Sequence, residues 1–93
     1  MHAIFGTSEI DASRADEAVE LLTKGILPGI SQAPGFVSAT FARSSDGTRG
    51  RSMLVFESEE AAKAVAATAG DRMPADAPIK IVSIDVFEVV ASA

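Results

Sequence analysis

The sequence predicts an α+β fold in which two helices cover one face of a four-stranded antiparallel sheet. Three observations lead to this prediction. The chain has 93 residues, which fits a single domain over residues 1–93. Apolar residues alternate along several short stretches and recur at helical spacing along two longer ones. The resulting order is strand, helix, strand, strand, helix, strand, which is typical of a split βαβ arrangement.

The first half of the chain contains one strand and one helix. Residues 2–7 (HAIFGT) predict a short strand. Asp11 or Ser13 then provides a side-chain oxygen that can cap the first turn of a helix. The apolar stripe of this helix consists of Ala15, Val19, Leu22 and Ile26. Because a residue before proline avoids the helical region, the helix is predicted to end or kink near Leu27, ahead of Pro28.

A hairpin follows. Residues 36–43 and 51–57 predict its two strands, and Asp46-Gly47 lies in the turn, where a positive φ is needed. Regular alternation predicts that Phe36, Ser38, Thr40 and Ala42 share one face of the first strand, and Val37, Ala39, Phe41 and Arg43 the other.

The second half ends in a helix and a long strand. Ser58 is a cap for an alanine-rich helix that Gly70 ends, and its small side chains let it lie close to a sheet. Residues 79–90 predict the last strand. In this ferredoxin-like topology the first strand is expected between the second and the third, with the last strand at an edge.

Both faces of the predicted sheet are apolar, which predicts self-association. Two helices can cover only one face, and the other is normally polar. Neighbouring residues such as Val86 and Phe87 instead place apolar side chains on opposite faces. A homodimer that packs sheet against sheet would bury the second face. Val86 and Phe87 are the predicted interface residues.

Three segments carry a resemblance to a known family: ILPGISQAPGFVSATF, MLVFESEEAAKAV and IVSIDVFEVV. Together they resemble the dimeric α+β barrel superfamily, and within it the antibiotic biosynthesis monooxygenase-like domains. The resemblance covers nearly the whole chain. It implies a barrel closed by two sheets, a cavity between sheet and helices in each protomer, and cofactor-free oxidation of an aromatic molecule. The chain lacks Trp, Tyr and Asn, which are common in that family's cavities.

Composition excludes several classes of function. The net charge is −5, so no basic face is available for nucleic acid. Cysteine is absent, which excludes disulfides and thiolate metal ligands and fits the cytoplasm. No apolar run is long enough for a transmembrane helix, and no signal peptide is expected. We predict no metal and no cofactor.

Two ionisable residues are weak catalytic candidates. His2 is the only histidine and could act as a base or bind haem iron, or it could be an ordinary side chain at a strand start. Asp85 lies between apolar residues in the last strand. Buried there, it could act as an acid or base, but on an edge strand it would more simply block unwanted pairing. The second interpretation of Asp85 is preferred.

A ligand cavity is predicted from apolar side chains mixed with hydroxyls. Its proposed lining consists of Phe5, Phe36, Ser38, Thr40, Phe41, Met53 and Phe56. Such a lining suits a small hydrophobic molecule, and it equally suits an ordinary core. Arg43, Arg49 and Arg51 cluster at the hairpin and could attract an anion. An exposed turn with solvated charges is the preferred interpretation of that cluster.

Three functions stay open from the sequence. The chain could be a cofactor-free monooxygenase or isomerase that acts on an aromatic or quinone-like molecule. It could be a non-enzymatic or stress-related homodimer that binds a small ligand, or a module that interacts through a sheet edge. A carboxylate or histidine pointing into a cavity would favour the enzyme. Hydroxyls alone in a roomy cavity would favour the binder, and a filled core the module.

Overall fold

Four strands form one antiparallel sheet in the computed structural model, which describes residues 1–93. The strands are β1 (His2–Ile10), β2 (Phe36–Arg43), β3 (Arg49–Phe56) and β4 (Ile79–Glu88). Their order across the sheet is β2-β3-β1-β4. The predicted α+β fold is therefore confirmed, including the edge position of the last strand. The predicted neighbours of the first strand are wrong. β1 lies between β3 and β4, and β3 separates it from β2.

The connection between β1 and β2 is a continuous helical run with an irregular middle. Its parts are a 3₁₀ turn (Ala12–Arg14), α1 (Ala15–Glu20), a π-helical stretch (Leu21–Ile26) and α2 (Leu27–Ile30). Asp11 caps it as predicted, since its carboxylate accepts a hydrogen bond from the Ser13 N–H at 3.0 Å. The run does not end near Leu27; it changes there from π-helical to α-helical and continues through Pro28 to Ile30. The proline lies in the first turn of α2, directly after the π-helical stretch.

The second connection is shorter and regular. It comprises α3 (Glu59–Thr68) and a 3₁₀ turn (Ala69–Arg72). The Ser58 hydroxyl accepts a hydrogen bond from the Ala61 N–H at 3.1 Å, so the predicted cap is confirmed. Gly70 lies inside the 3₁₀ turn, so the α-helix ends slightly earlier than predicted. No helix of the protein is both long and apolar enough to cross a membrane.

One β-bulge changes which side chains share a face. The register between β2 and β3 shifts between Phe36 and Ser38, so Val37 has no partner in the ladder. Phe36 therefore lies opposite Phe56, on the same face as Ala39 and Phe41. This corrects the regular alternation predicted for β2, because an extra residue in a strand moves every preceding side chain to the other face.

The core lies at one end of the interface between helices and sheet. Seven buried residues form it: Ile4, Ile26, Ile30, Leu54, Phe56, Ala62 and Val65. Phe56 is fully buried, and it packs edge to face against Phe36 with ring centroids 6.0 Å apart. Ala62 is fully buried as well, and α3 packs closely on β1, β3 and β4. The small side chains of α3 permit this close approach, as predicted.

Candidate functional site

A cavity of about 460 Å³ adjoins this core between the helices and the sheet and extends to the opposite end of β1. Five core residues also line it: Ile4, Ile26, Ile30, Leu54 and Val65. Its roof comes from residues 15–30 and from residues 65–73, and the helix-facing side of the sheet forms its floor. Twenty of its 29 lining residues are hydrophobic, which makes it a mostly apolar chamber. Its size falls within the range of pockets that hold small organic ligands.

Within a floor that also contains larger side chains such as Phe41 and Ile84, the two central strands contribute four very small residues, which leave space beneath the roof. Two cross-strand pairs join β1 to β3 there, Gly6 opposite Ser52 and Ser8 opposite Gly50. A Cβ atom placed on Gly6 would come within 2.5 Å of the Ser52 hydroxyl oxygen, and one on Gly50 within 2.5 Å of the Ser8 hydroxyl oxygen. Each serine therefore folds over the glycine opposite it. We call these four residues the Gly-Ser floor.

The Gly-Ser floor offers two hydroxyls to the cavity. Ser8 and Ser52 are half-buried and line the chamber. Neither hydroxyl takes part in a side-chain hydrogen bond within the protein. Thr23 also lines the cavity, but its hydroxyl donates to the Val19 carbonyl at 2.9 Å and is thereby occupied. The floor serines are the hydroxyls free to meet a ligand.

The π-helical stretch contributes much of the roof. Leu22, Thr23 and Ile26 belong to it and line the cavity. A π-helical turn is wider than an α-helical one and often occurs beside functional sites. Here it places the apolar side chains of Leu22 and Ile26 in the lining of the cavity, and α2 follows directly after it.

Arginines are the only ionisable side chains that line the cavity. They are Arg43, Arg51 and Arg72, and no carboxylate or histidine accompanies them. Arg43 lies opposite Gly50 and so belongs to the helix-facing row of β2, whereas Arg51 lies opposite Thr7 on the other face of the sheet. The Arg72 guanidinium reaches α2, where its Nη1 atom lies 3.4 Å from the position of a Cβ on Gly29.

These arginines have no anionic partner within the chain. The four ion pairs of the structure join His2 to Glu59, Arg14 to Glu17, Lys24 to Glu20 and Lys63 to Glu59. None includes Arg43 or Arg72. Both side chains are exposed, and neither guanidinium has a carboxylate oxygen within ion-pair distance.

The predicted cavity residues are divided by the structure into three groups. Phe41 is among the residues that line the cavity. Phe36 and Phe56 pack in the core at the filled end. The remaining four, Phe5, Ser38, Thr40 and Met53, lie on the face turned away from the helices, which we call the open face. Ser38 and Thr40 alternate with Phe41 along β2 and therefore lie on the opposite face, whereas the bulge turns Phe36 to the helix side.

The Gly-Ser floor was missed because the sequence does not state the register of β1 and β3. Its signal was present as two short rows of small residues at alternate positions, Gly6 with Ser8 and Gly50 with Ser52. Gly50 was also assigned to the turn, although β3 begins at Arg49. Arg72 was missed because its contact with α2 joins segments far apart in the chain.

His2 lies outside the cavity, at the opposite end of β1. Its Nε2 atom is 3.7 Å from a carboxylate oxygen of Glu59 in the first turn of α3. Its Nδ1 atom is buried and has no hydrogen-bond partner. No group of three or more acidic, histidine or cysteine side chains could hold a metal ion. The structure therefore gives His2 no contact with a ligand in the cavity.

Asp85 and the predicted interface residues take different faces of β4. Asp85 lies opposite Phe5 on the open face and is exposed. Phe87 is 55% exposed there, and its ring packs edge to face on Phe5 with centroids 5.6 Å apart. Val86 instead packs against the core on the helix side. Of the two predicted interface residues, only Phe87 belongs to the open face.

The structure is similar to several solved structures. A monooxygenase from the gene ActVA-Orf6 of Streptomyces coelicolor, in complex with nanaomycin D, has a TM-score of 0.62 and 24% identity over 99% of this chain and 89% of its own. The heme-degrader MhuD from Mycobacterium tuberculosis, with two hemes in its active site, has a TM-score of 0.73 and 24% identity over 100% and 99%. A proposed antibiotic biosynthesis monooxygenase from Deinococcus radiodurans has a TM-score of 0.75 and 16% identity over 100% and 96%.

The chain thus has the fold of the antibiotic biosynthesis monooxygenase-like proteins, and the predicted resemblance is confirmed at that level. No protein-family model and no curated protein sequence matches the chain. Identities this low establish the fold, and the substrate has to be argued from the site itself.

Haem does not fit the residues that line this cavity. Protein ligands of haem iron are histidine, cysteine, tyrosine or methionine. His2 is outside the cavity, cysteine and tyrosine are absent from the chain, and Met73 is the one lining residue with a potential ligand atom. A thioether alone is a weak ligand, so we derive no step through haem.

Proposed function

We propose that this chain is a homodimer that binds a small, mostly apolar organic molecule, aromatic or quinone-like, in the cavity above the Gly-Ser floor. The observation that carries the proposal is the cavity itself. A chain of this size has a thin core, and an apolar cavity of about 460 Å³ lowers the stability that close packing there would provide. A flat ligand lying between Leu22 and Ile26 above and the glycines below would recover that burial.

The reaction class supported by the fold is a cofactor-independent oxidation by molecular oxygen. An electron-rich CH₂ group of the ligand would lose a proton and react with O₂, giving a carbonyl and one water. The protein would contribute a cavity with little water and the hydroxyls of Ser8 and Ser52, which can orient an oxygen atom of the ligand. No lining carboxylate or imidazole can take the proton, so it would have to pass to solvent.

That lack of a proton acceptor favours a second candidate, binding without turnover. General bases in enzymes are side chains within hydrogen-bond reach of the reacting group. The ionisable lining residues are arginines, which do not act as bases at neutral pH. Hydroxyls and cations around an apolar chamber suit a ligand carrier. The two candidates share one cavity and differ in whether oxygen is consumed.

The test combines binding with oxygen uptake. The purified protein is mixed with an anthrone, whose fluorescence and oxidation to a quinone can both be followed, in a sealed oxygen-electrode cell. Binding with oxygen uptake above the spontaneous rate supports the oxidase, and binding without it supports the carrier. Ser52→Leu, which fills the floor, should abolish either result, whereas Ser45→Leu at the exposed hairpin turn should change neither. Absence of anthrone binding would contradict both candidates.

The homodimer is the second part of the proposal, and it uses the open face. Phe5, Met53 and Phe87 are 40–55% exposed there, although they are large apolar side chains on neighbouring strands. No helix covers them, so a second copy packed on this face would bury them. The absence of cysteine is compatible with the cytoplasm, and that location stays a prediction.

Phe87→Glu tests the dimer by native mass spectrometry. A carboxylate buried in the interface should lower the free energy of dimerisation by about 3–5 kcal/mol, and the protein should be monomeric at low concentration. Ala64→Glu, on the exposed side of α3, adds the same charge away from the open face and should leave the dimer intact. A Phe87→Glu protein that remains dimeric after dilution would show that the open face is not the interface.

A further inference from the structure

We infer that the ligand is an organic anion, whose apolar body fills the cavity and whose ionised oxygen group is held by Arg72, with Arg43 as a second positive charge. This inference rests on the proposed function, because it assigns a chemical class to the molecule in that cavity. It comes from the charges around the chamber.

The charges that line the cavity are all positive, whereas the net charge of the chain is negative. Every ionisable side chain that lines the cavity is an arginine, in a chain whose acidic residues outnumber its basic ones by 13 to 8. The long-range field of a protein with net charge −5 repels anions. A local reversal of sign beside an apolar chamber therefore calls for a local explanation.

The guanidinium groups of Arg43 and Arg72 make no ion pair and no side-chain hydrogen bond within the chain. Neither Arg43 nor Arg72 belongs to any of the four ion pairs, and neither donates one of the side-chain hydrogen bonds. Away from the cavity, Arg14, Lys24 and Lys63 are paired with glutamates, and Arg14 also donates to the Asp76 carbonyl at 2.9 Å. The arginines beside the cavity keep all their donors available.

Arg72 lies between two helical segments at the border of the cavity. It follows α3, yet its guanidinium lies against Gly29 of α2, so the side chain reaches from one helical segment to the other beside the cavity. Gly29 has no side chain that could push the guanidinium away. A planar guanidinium there can bind two oxygens of a carboxylate, or one ionised phenol or enol oxygen.

The lining of the cavity contains no carboxylate and no imidazole that could accept a proton. A neutral acid would need a base in the cavity to become ionised, and none lines it. A ligand that enters already ionised needs no such base, and cations beside the cavity stabilise its charge. For an enolate or a conjugated phenolate, in which the proton has already been lost to solvent, the proposed oxidation needs no acceptor in the cavity; a carboxylate ligand would fit the binding candidate instead.

The test uses probes with one apolar body and different head groups, at neutral pH and low salt: naphthoate, neutral naphthamide, and a nitronaphthol that is ionised at that pH. Binding is measured by titration calorimetry. We expect naphthoate to bind about five- to tenfold more tightly than naphthamide, the range expected for a partly exposed charge-assisted contact. Added salt should reduce that difference.

Variants locate the effect. Arg72→Gln should remove most of the preference for naphthoate and leave the affinity for naphthamide unchanged, which would also show that the cavity is intact. Arg49→Gln is the matched control, because it removes the same charge from the open face and does not line the cavity. A loss of preference in Arg49→Gln equal to that in Arg72→Gln would overturn the assignment to Arg72.

The outcomes separate the two proposals. If no probe binds, the cavity proposal itself fails. If naphthoate and naphthamide bind equally and Arg72→Gln changes neither affinity, the cavity binds ligands but does not select anions, and this inference is overturned. Tight binding of the ionised nitronaphthol supports a phenolate or enolate ligand, and preference for naphthoate over both other probes supports a carboxylate.

Discussion

The two ends of the interface between helices and sheet are built by the same two central strands and differ in side-chain size. At the filled end, β1 and β3 present Ile4, Leu54 and Phe56, all at most 5% exposed, and Ile4 and Leu54 form the border with the cavity. At the hollow end, two residues further along each strand, they present the Gly-Ser floor and leave a cavity of about 460 Å³. The pairing of β1 with β3 keeps one register from one end to the other, whereas the pairing of β1 with β4 shifts between Thr7 and Ser8.

This contrast shows how a small domain can keep a cavity and a stable fold. Close packing at the filled end supplies the burial that holds the domain together, because a fully buried aromatic or aliphatic side chain stabilises it most. The hollow end is then free to use small residues. The helices take part in both ends: Val65 and Ala66 of α3 line the cavity, while Ile26 and Ile30 of the first helical run also belong to the core.

Removing a phenylalanine ring from each end should give the largest difference. Phe56→Ala deletes a fully buried ring and should lower the free energy of unfolding by about 3–5 kcal/mol. Phe41→Ala deletes a half-buried ring that already borders a void, so we expect about 1–2 kcal/mol. Urea unfolding followed by circular dichroism measures both. Equal losses would mean that the two ends are packed alike.

Enlarging a small residue at each end should give effects of opposite character. Ala62→Leu adds atoms where Ala62 is fully buried and should destabilise the protein by about 1–3 kcal/mol. Ser52→Leu places its atoms in the cavity and should change the free energy of unfolding by less than about 1 kcal/mol. Thermal unfolding of both variants is the measurement. A Ser52→Leu protein as unstable as Ala62→Leu would argue against an accessible cavity.

The sequence predicted the fold well because its signals there are local. The capping of helices by Asp11 and Ser58 depends on neighbouring residues, and so does the Asp46-Gly47 turn, where Gly47 has the expected positive φ of 76°. The order of elements then leaves few topologies open. These features are readable without knowing what packs on what.

The sequence predicted the site poorly because the site depends on register. Val37 forms a bulge, and that one residue puts Phe36 on the face opposite to Ser38 and Thr40, with which regular alternation had grouped it. The Gly-Ser floor appears only when β1 is aligned with β3, and Arg72 meets Gly29 only in the folded chain. Glycine and serine also carry little hydrophobic signal, so a floor made of them does not stand out in a search for apolar lining.

The smallest effect is expected at the hairpin turn, which belongs to neither end and so provides a baseline. Hydrogen bonds from Ser44 and Thr48 lower the pKa of Asp46 from 3.8 to about 2. A carboxyl whose pKa is lower in the folded state stabilises the protein above pH 3.8, and this contribution is lost as the pH falls towards 2. Asp46→Ala should remove a small part of the acid sensitivity of the unfolding midpoint in that range. Probe binding in the cavity at neutral pH should be unaffected, and a loss of binding would show that the turn and the hollow end are coupled.

Nuclear magnetic resonance mapping of a neutral probe tests the central claim most directly. Naphthamide is titrated into the ¹⁵N-labelled protein, and backbone amide shifts are followed residue by residue. We predict the largest shifts at Gly6, Ser8 and Gly50, and a loss of affinity of at least about tenfold in Ser52→Leu, equivalent to about 1.4 kcal/mol of binding free energy. Shifts centred on Phe5 and Phe87, with Ser52→Leu binding as tightly as the wild type, would place the ligand on the open face and contradict the account.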